Sequence, residues 1–168
     1  MDSETVVGEL RILVLDDDQS VRRLTEQILR RTGATVETAA NGREGLQILI
    51  DHDFDFLVVD LRMDQMDGVA FLQEALKIWP WLGVVVMTAY PESDALEQVQ
   101  GLGVRRTLKK PFMHRELTDM IASEWQEMAK DEGRQGDLSL HKIQYQLRSL
   151  RQLTEPAMEA ETLVEALR

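Results

Sequence analysis

Short, unbroken apolar runs recur along the chain, each followed by a polar stretch with helical spacing. The runs are Ile12-Leu13-Val14-Leu15, Phe56-Leu57-Val58-Val59 and Val84-Val85-Val86-Met87. A run with no polar alternation reads as a strand buried on both faces, as in a parallel sheet. Strands are expected over Leu10–Leu15, Asp55–Val59 and Gly83–Met87, with weaker ones at Thr35–Thr38 and about Arg105–Leu108. Between them the apolar residues fall three and four apart, the spacing of a helix with one buried side. Val21, Leu24, Ile28 and Leu29 form the first such stripe, started by Asp18 or Ser20 and stopped at Gly33. Asn41-Gly42 opens a second helix with Leu46, Leu49 and Ile50 inward. Gly68 begins a third, with Val69, Leu72, Leu76 and Trp79 inside and Pro80 as its stop. A fourth carries Leu96 and Val99 and ends near Gly101–Gly103. A fifth follows Pro111 with Leu117, Ile121, Trp125 and Met128.

Strands that alternate with helices argue for βαβ units and a parallel sheet. Right-handed crossovers make it three-layered. Five such units predict an α/β, flavodoxin-like, doubly wound (βα)5 sheet with strand order 2-1-3-4-5. This unit is expected over residues 1–130. From Lys130 to Asp137 the chain is polar with two glycines and reads as a linker. Leu140, Ile143, Leu147 and Leu150 then mark a helix over Leu138–Leu153. A last helical piece after Pro156 carries Met158, Leu163 and Leu167. Residues 131–168 are therefore expected to form a C-terminal helical extension, leading to an output domain or packing on a second copy or on the receiver itself.

Composition narrows the function classes. The net charge is −11, which disfavours nucleic-acid binding by phosphate neutralisation. The pairs Arg22-Arg23, Arg30-Arg31 and Arg105-Arg106 read as solvated faces. The chain has no cysteine, so neither disulfides nor thiolate metal sites arise. No apolar stretch approaches a membrane span, and the acidic start resembles no signal peptide. A cytoplasmic protein is expected. His52, His114 and His141 lack ligand spacing, and Met63, Met66 and Met87 read as core filler.

The strand ends carry the chemistry. The first run ends in Asp16, Asp17 and Asp18, the central one in Asp60, the next in Thr88, and the last leads into Lys110-Pro111-Phe112. Open α/β sheets bind ligands at that edge. Magnesium takes hard oxygen ligands. Asp17 and Asp60 are candidates for direct binding, Asp16 through a water, with a loop carbonyl, that of Arg62, completing the set. An Asp nucleophile forms an acyl phosphate at phosphorus, while a cation and a lysine neutralise the phosphoryl oxygens. Gly68 and Ala89 would leave room.

The chain resembles the receiver domain of bacterial two-component response regulators over about Leu10–Met128. The resemblance rests on Ile-Leu-Val-Leu-Asp-Asp at 12–17, Leu-Val-Val-Asp at 57–60, Met-Asp-Gln-Met-Asp-Gly at 63–68, Met-Thr-Ala at 87–89 and Lys-Pro-Phe at 110–112. It implies that Asp60 is the phosphoacceptor and that Asp16, Asp17 and the Arg62 carbonyl join it around Mg2+. Thr88 is then the switch hydroxyl, and Lys110 bonds the phosphoryl group. It also implies a histidine kinase or phosphotransfer protein as donor. The face of the fourth helix, fifth strand and fifth helix would respond, and a homodimer would form through that face or the C-terminal helices. Lys110-Pro111 is a candidate cis bond.

Three positions depart from the family pattern. Asp64 stands where the loop usually has proline. Thr107 replaces the usual aromatic ring of the fifth strand. Arg62 and Tyr90 flank the phosphoryl site as a bulky pair, expected to slow hydrolysis. Two other readings compete. One is a pseudo-receiver that binds proteins unphosphorylated. The other is a haloacid-dehalogenase-like phosphatase with Asp16 as nucleophile and Asp18 as general acid. The phosphatase reading gives Asp60 no role and lacks the further acidic strand end that such enzymes need.

Overall fold

A computed structural model describes residues 2–130. The expected helices over 138–153 and after Pro156, and His141, lie outside the described residues. Five parallel strands, β1 (Arg11–Leu15), β2 (Thr35–Ala39), β3 (Phe56–Asp60), β4 (Gly83–Thr88) and β5 (Arg106–Lys109), lie in the order β2-β1-β3-β4-β5. The helices are α1 (Ser3–Gly8), α2 (Gln19–Arg31), α3 (Gly42–Asp51), α4 (Gly68–Ile78), α5 (Asp94–Gly101) and α6 (His114–Lys130). The expected doubly wound order is therefore the observed one. Strand bounds differ from expectation by about one residue. At β3 the Asp55 carboxylate takes the Arg11 N–H at 2.9 Å just before the strand begins.

Period-two alternation divides the strands between two cores. Leu13, Leu15, Leu57, Val59, Val84 and Val86 pack with α3, α4 and α5. Ile12, Val14, Phe56, Val58, Val85 and Met87 pack with α1, α2 and α6. This explains why β3 and β4 are unbroken apolar runs: both of their faces are covered. Trp79 and Trp81 close the N-terminal end of the sheet beside Leu49, Phe54 and Leu82.

The helix caps follow the sequence. Asp18, Asn41, Asp67 and Ser93 each accept a backbone N–H at the start of a helix. Gly33 follows the end of α2 at φ +101°, a conformation that strains any residue with a Cβ.

Three features differ from the sequence pattern. Leu24 points outward and is 51% exposed, while Thr25 is buried in its place. Thr25 can be buried because its hydroxyl donates to the Val21 carbonyl at 2.8 Å. On α4 the buried face is wider than the expected stripe and includes Phe71 and Ala75, because α3 and α5 flank it on both sides. The short α1 was not anticipated; it is capped by Asp2 and buries Val6 and Val7 against α2 and α6. Six residues are too few for periodicity to show.

The arginine pairs are also more than solvated faces. Arg105 and Arg106 clamp the buried Glu124 at 3.0 and 3.1 Å, and Arg106 reaches Glu127 at 2.7 Å. Arg30 donates to the Val36 carbonyl at 2.7 Å. Arg106→Ala strips one of two partners from a buried carboxylate and is expected to cost about 1 to 2 kcal/mol, read as a lower urea midpoint. An unchanged midpoint would show that Arg105 alone satisfies Glu124.

Candidate phosphoryl and metal site

Parallel strands deliver their C-terminal ends to one edge. Asp16 and Asp17 follow β1, Asp60 ends β3, Thr88 ends β4, and Lys110 follows β5. The register pairs Val59 with Leu15 and Asp60 with Met87, placing the carboxylates and Thr88 on neighbouring strands. Oxygen atoms of Asp16, Asp17 and Asp60 lie within 4.8 Å of one another. Asp16 is fully buried, Asp60 nearly so, and Asp17 exposed.

Each carboxylate has fixed partners. The Lys110 ammonium donates to Asp16 Oδ2 at 2.7 Å and Asp60 Oδ2 at 3.0 Å. Asp16 Oδ1 accepts the Asp18 N–H at 2.9 Å, and Asp60 Oδ1 the Arg62 N–H at 3.2 Å. The Asp64 N–H lies 3.4 Å from Asp17 Oδ2. Thr88 Oγ1 accepts the Tyr90 N–H at 2.9 Å, so its own O–H remains to donate. The Lys110 N–H donates to the Thr88 carbonyl at 2.9 Å, tying the two residues together through the backbone. The Lys110-Pro111 bond is cis.

Burial lifts the Asp60 carboxyl to a pKa of about 6. Lys110 acts against that rise, and the nearby Asp16 adds to it. The repulsion expected among the acids is thus present but is not the main cause. Burial also depresses Lys110, yet its bonds to Asp16 and Asp60 outweigh this and leave its pKa raised. The site is therefore one cation short of neutralising its carboxylates. That deficit, with oxygen-only donors, fits a divalent hard cation such as Mg2+.

Other features lie beyond the strand-end pattern. The Arg62 guanidinium sits 4.1 Å from the centre of the Tyr90 ring, so the bulky pair is a stacked one. Arg22 reaches back to the Asp16 carbonyl at 2.7 Å, a contact that its sequence position gave no reason to expect. Gly68 makes room for the chain itself. A Cβ there would lie 2.3 Å from the Asp60 carbonyl oxygen and 2.8 Å from Leu61 Cα. Asp18 Oδ1 takes the N–H groups of Ser20 and Val21 at 2.9 and 3.2 Å, so Asp18 serves as the cap of α2. His52 pairs with Glu37 at 3.0 Å, away from the site.

The response regulator receiver domain profile matches residues 12–122. Sporulation initiation phosphotransferase F of Bacillus subtilis (strain 168) is 31% identical over 111 residues, covering 66% of this chain and 90% of that protein. The DNA-binding transcriptional regulator NtrC of Escherichia coli (strain K12) is 39% identical over 101 residues, 60% of this chain but only 22% of that protein. The chain thus spans about a fifth of the length of such relatives. A CheY-like receiver domain from Methanospirillum hungatei JF-1 superposes with a TM-score of 0.69 at 30% identity, covering 72% of this chain and 97% of the other. The Thermotoga maritima response regulator TrrA, solved with Mg(2+)-BeF, gives 0.60 at 27%, covering 67% and 96%. Among the described residues no helix is long and apolar enough to cross a membrane. Fold, strand-end chemistry and these likenesses agree: the chain belongs to the response regulator receiver domain family.

Proposed function

We propose that the protein is a phosphoacceptor switch that takes a phosphoryl group on Asp60 from a histidine kinase or phosphotransfer protein. The observation that carries this reading is the Lys110 ammonium bridging Asp16 and Asp60 at the edge of the sheet. Asp60 Oδ attacks phosphorus, the O–P bond forms, and the P–N bond to the donor imidazole breaks with its electron pair returning to nitrogen. The product is an acyl phosphate, and the protein is a regulator rather than a metabolic enzyme.

Asp16, Asp17, Asp60 and the Arg62 carbonyl would hold Mg2+, which when bound supplies positive charge to the phosphoryl oxygens. Lys110 moves its hydrogen bond from the Asp60 carboxylate to a phosphoryl oxygen, and Thr88 donates its O–H to another. The acyl phosphate carries ~1.5 to 2 negative charges in place of the single charge of the Asp60 carboxylate. The Lys110–Thr88 backbone bond then couples the movement of β4 to β5 and so to the face of α5, β5 and α6. The half-buried Thr107 has no ring to swing, which leaves this backbone path to carry the signal. Residues 1–130 act as the receiver and 131–168 as a linker or helical extension. Homodimers form through the α5-β5-α6 face or the extension, direct nucleic-acid binding by this unit is not expected, and the protein works in the cytoplasm.

The test is intact mass after incubation with a small phosphodonor and Mg2+. One added phosphoryl is expected, and none with excess chelator or in Asp60→Ala. An unmodified wild type with every donor would favour an unphosphorylated binding module instead. The stacked Arg62 and Tyr90 are expected to slow water attack on the acyl phosphate. The double variant Arg62→Ala/Tyr90→Ala should therefore lose its phosphoryl group several-fold faster; an equal lifetime would remove this role.

A further inference from the structure

The edge of the sheet opposite Asp60 has a notch. β5 pairs with β4 only from Val85, which faces Arg106, so Gly83 and Val84 extend beyond the last described strand. Apolar side chains from both helical layers converge there. Leu76 comes from α4, Leu102 and Val104 from the lead into β5, and Met128 from α6, around a cavity of about 190 Å³ whose wall also carries Glu124, the acid held by Arg105 and Arg106. A second concavity shares Leu76 and Leu102 with it. Leu102 is 38% exposed at the mouth of both concavities.

We propose that residues 138–153 of the same chain dock in this notch through Leu140, Ile143, Leu147 and Leu150. Lys130, the last described residue of α6, lies two residues after Met128, which itself lines the notch. The polar stretch 131–137 spans at most ~25 Å, so the first apolar residues of the segment cannot move far from it. The segment carries Lys142, Arg148 and Arg151 and no acid, in a chain of net charge −11. A short tether gives a local concentration in the mM range, which favours the segment's own notch over that of a second copy. The proposal is independent of phosphoryl chemistry.

The chain has no cysteine, so introduced pairs are unambiguous. The full chain carrying Leu102→Cys with either Ile143→Cys or Leu147→Cys is oxidised at low micromolar concentration and read by non-reducing intact mass. The comparison pair is Leu24→Cys with Leu147→Cys, with Leu24 exposed on α2 across the sheet. At least one Leu102 pair is expected to close within the monomer about tenfold faster than the comparison pair. A disulfide-linked dimer would place the segment on a second copy and overturn docking within one chain. Closure of both Leu102 pairs no faster than the comparison pair would overturn docking in the notch.

Discussion

Asp60→Asn should make the metal-free protein more stable at pH 7, by on the order of 2 to 3 kcal/mol. Burial lifts the Asp60 carboxyl from 3.8 to about 6, with Lys110 acting against the rise. The folded state thus holds this proton more tightly than the unfolded chain does. Stability from this group is fully present below pH 3.8 and is lost as the pH rises through about 6. At pH 7 the wild type carries the ionised, poorly solvated acid, whereas asparagine stays neutral. The gap between variant and wild type should therefore be widest above pH 6 and vanish below about pH 4. Urea unfolding in chelator across that range measures it. Mg2+ should narrow the gap by stabilising the wild type more than the variant. A variant less stable than wild type at pH 7 would mean that the Asp60–Lys110 attraction outweighs the cost of burial.

Gly68→Ala is the second large effect, and its sign opposes intrinsic propensity. Alanine favours a helix by about 1 kcal/mol over glycine. Here, however, its Cβ would meet the Asp60 carbonyl oxygen at 2.3 Å and the Leu61 backbone at 2.8 Å. Both neighbours are main chain, and the Gly68 N–H bond to the Leu61 carbonyl at 3.1 Å holds them in place. No flexible side chain can give way. We expect a net loss of about 3 kcal/mol in urea unfolding and little phosphoryl uptake, because relief must move the end of β3 that carries Asp60. An unchanged midpoint would show that the loop between β3 and α4 yields freely.

The strands and the placement of the candidate site at one sheet edge were legible in the sequence for one reason. In a parallel sheet covered on both faces, each strand is an unbroken apolar run, and the first polar residue after it marks the ligand edge. Asp16, Asp17, Asp60, Thr88 and Lys110 all follow from that rule together with the family resemblance. What escaped depends on partners distant in sequence. Leu24 fits the helical stripe, yet Thr25 is buried because its hydroxyl is satisfied one turn back. Phe71 is buried because α4 has neighbours on both sides, which no single-helix pattern contains. Arg105 and Arg106 look like surface charges until α6 brings Glu124 to them. Gly68 shows as a helix start, but the carbonyl pressed against it belongs to Asp60.

Asp60, and no other carboxylate of the cluster, is the proposed acceptor of the phosphoryl group. Borohydride reduces an acyl phosphate at its carbonyl carbon and turns the modified aspartate into homoserine. The decisive measurement is peptide mass mapping of protein treated with phosphodonor and Mg2+ and then reduced. Homoserine at position 60 alone, absent when a chelator replaces Mg2+, is the predicted result. Homoserine at position 16 or 17, or a reduction-resistant phosphate on Thr88, would contradict it.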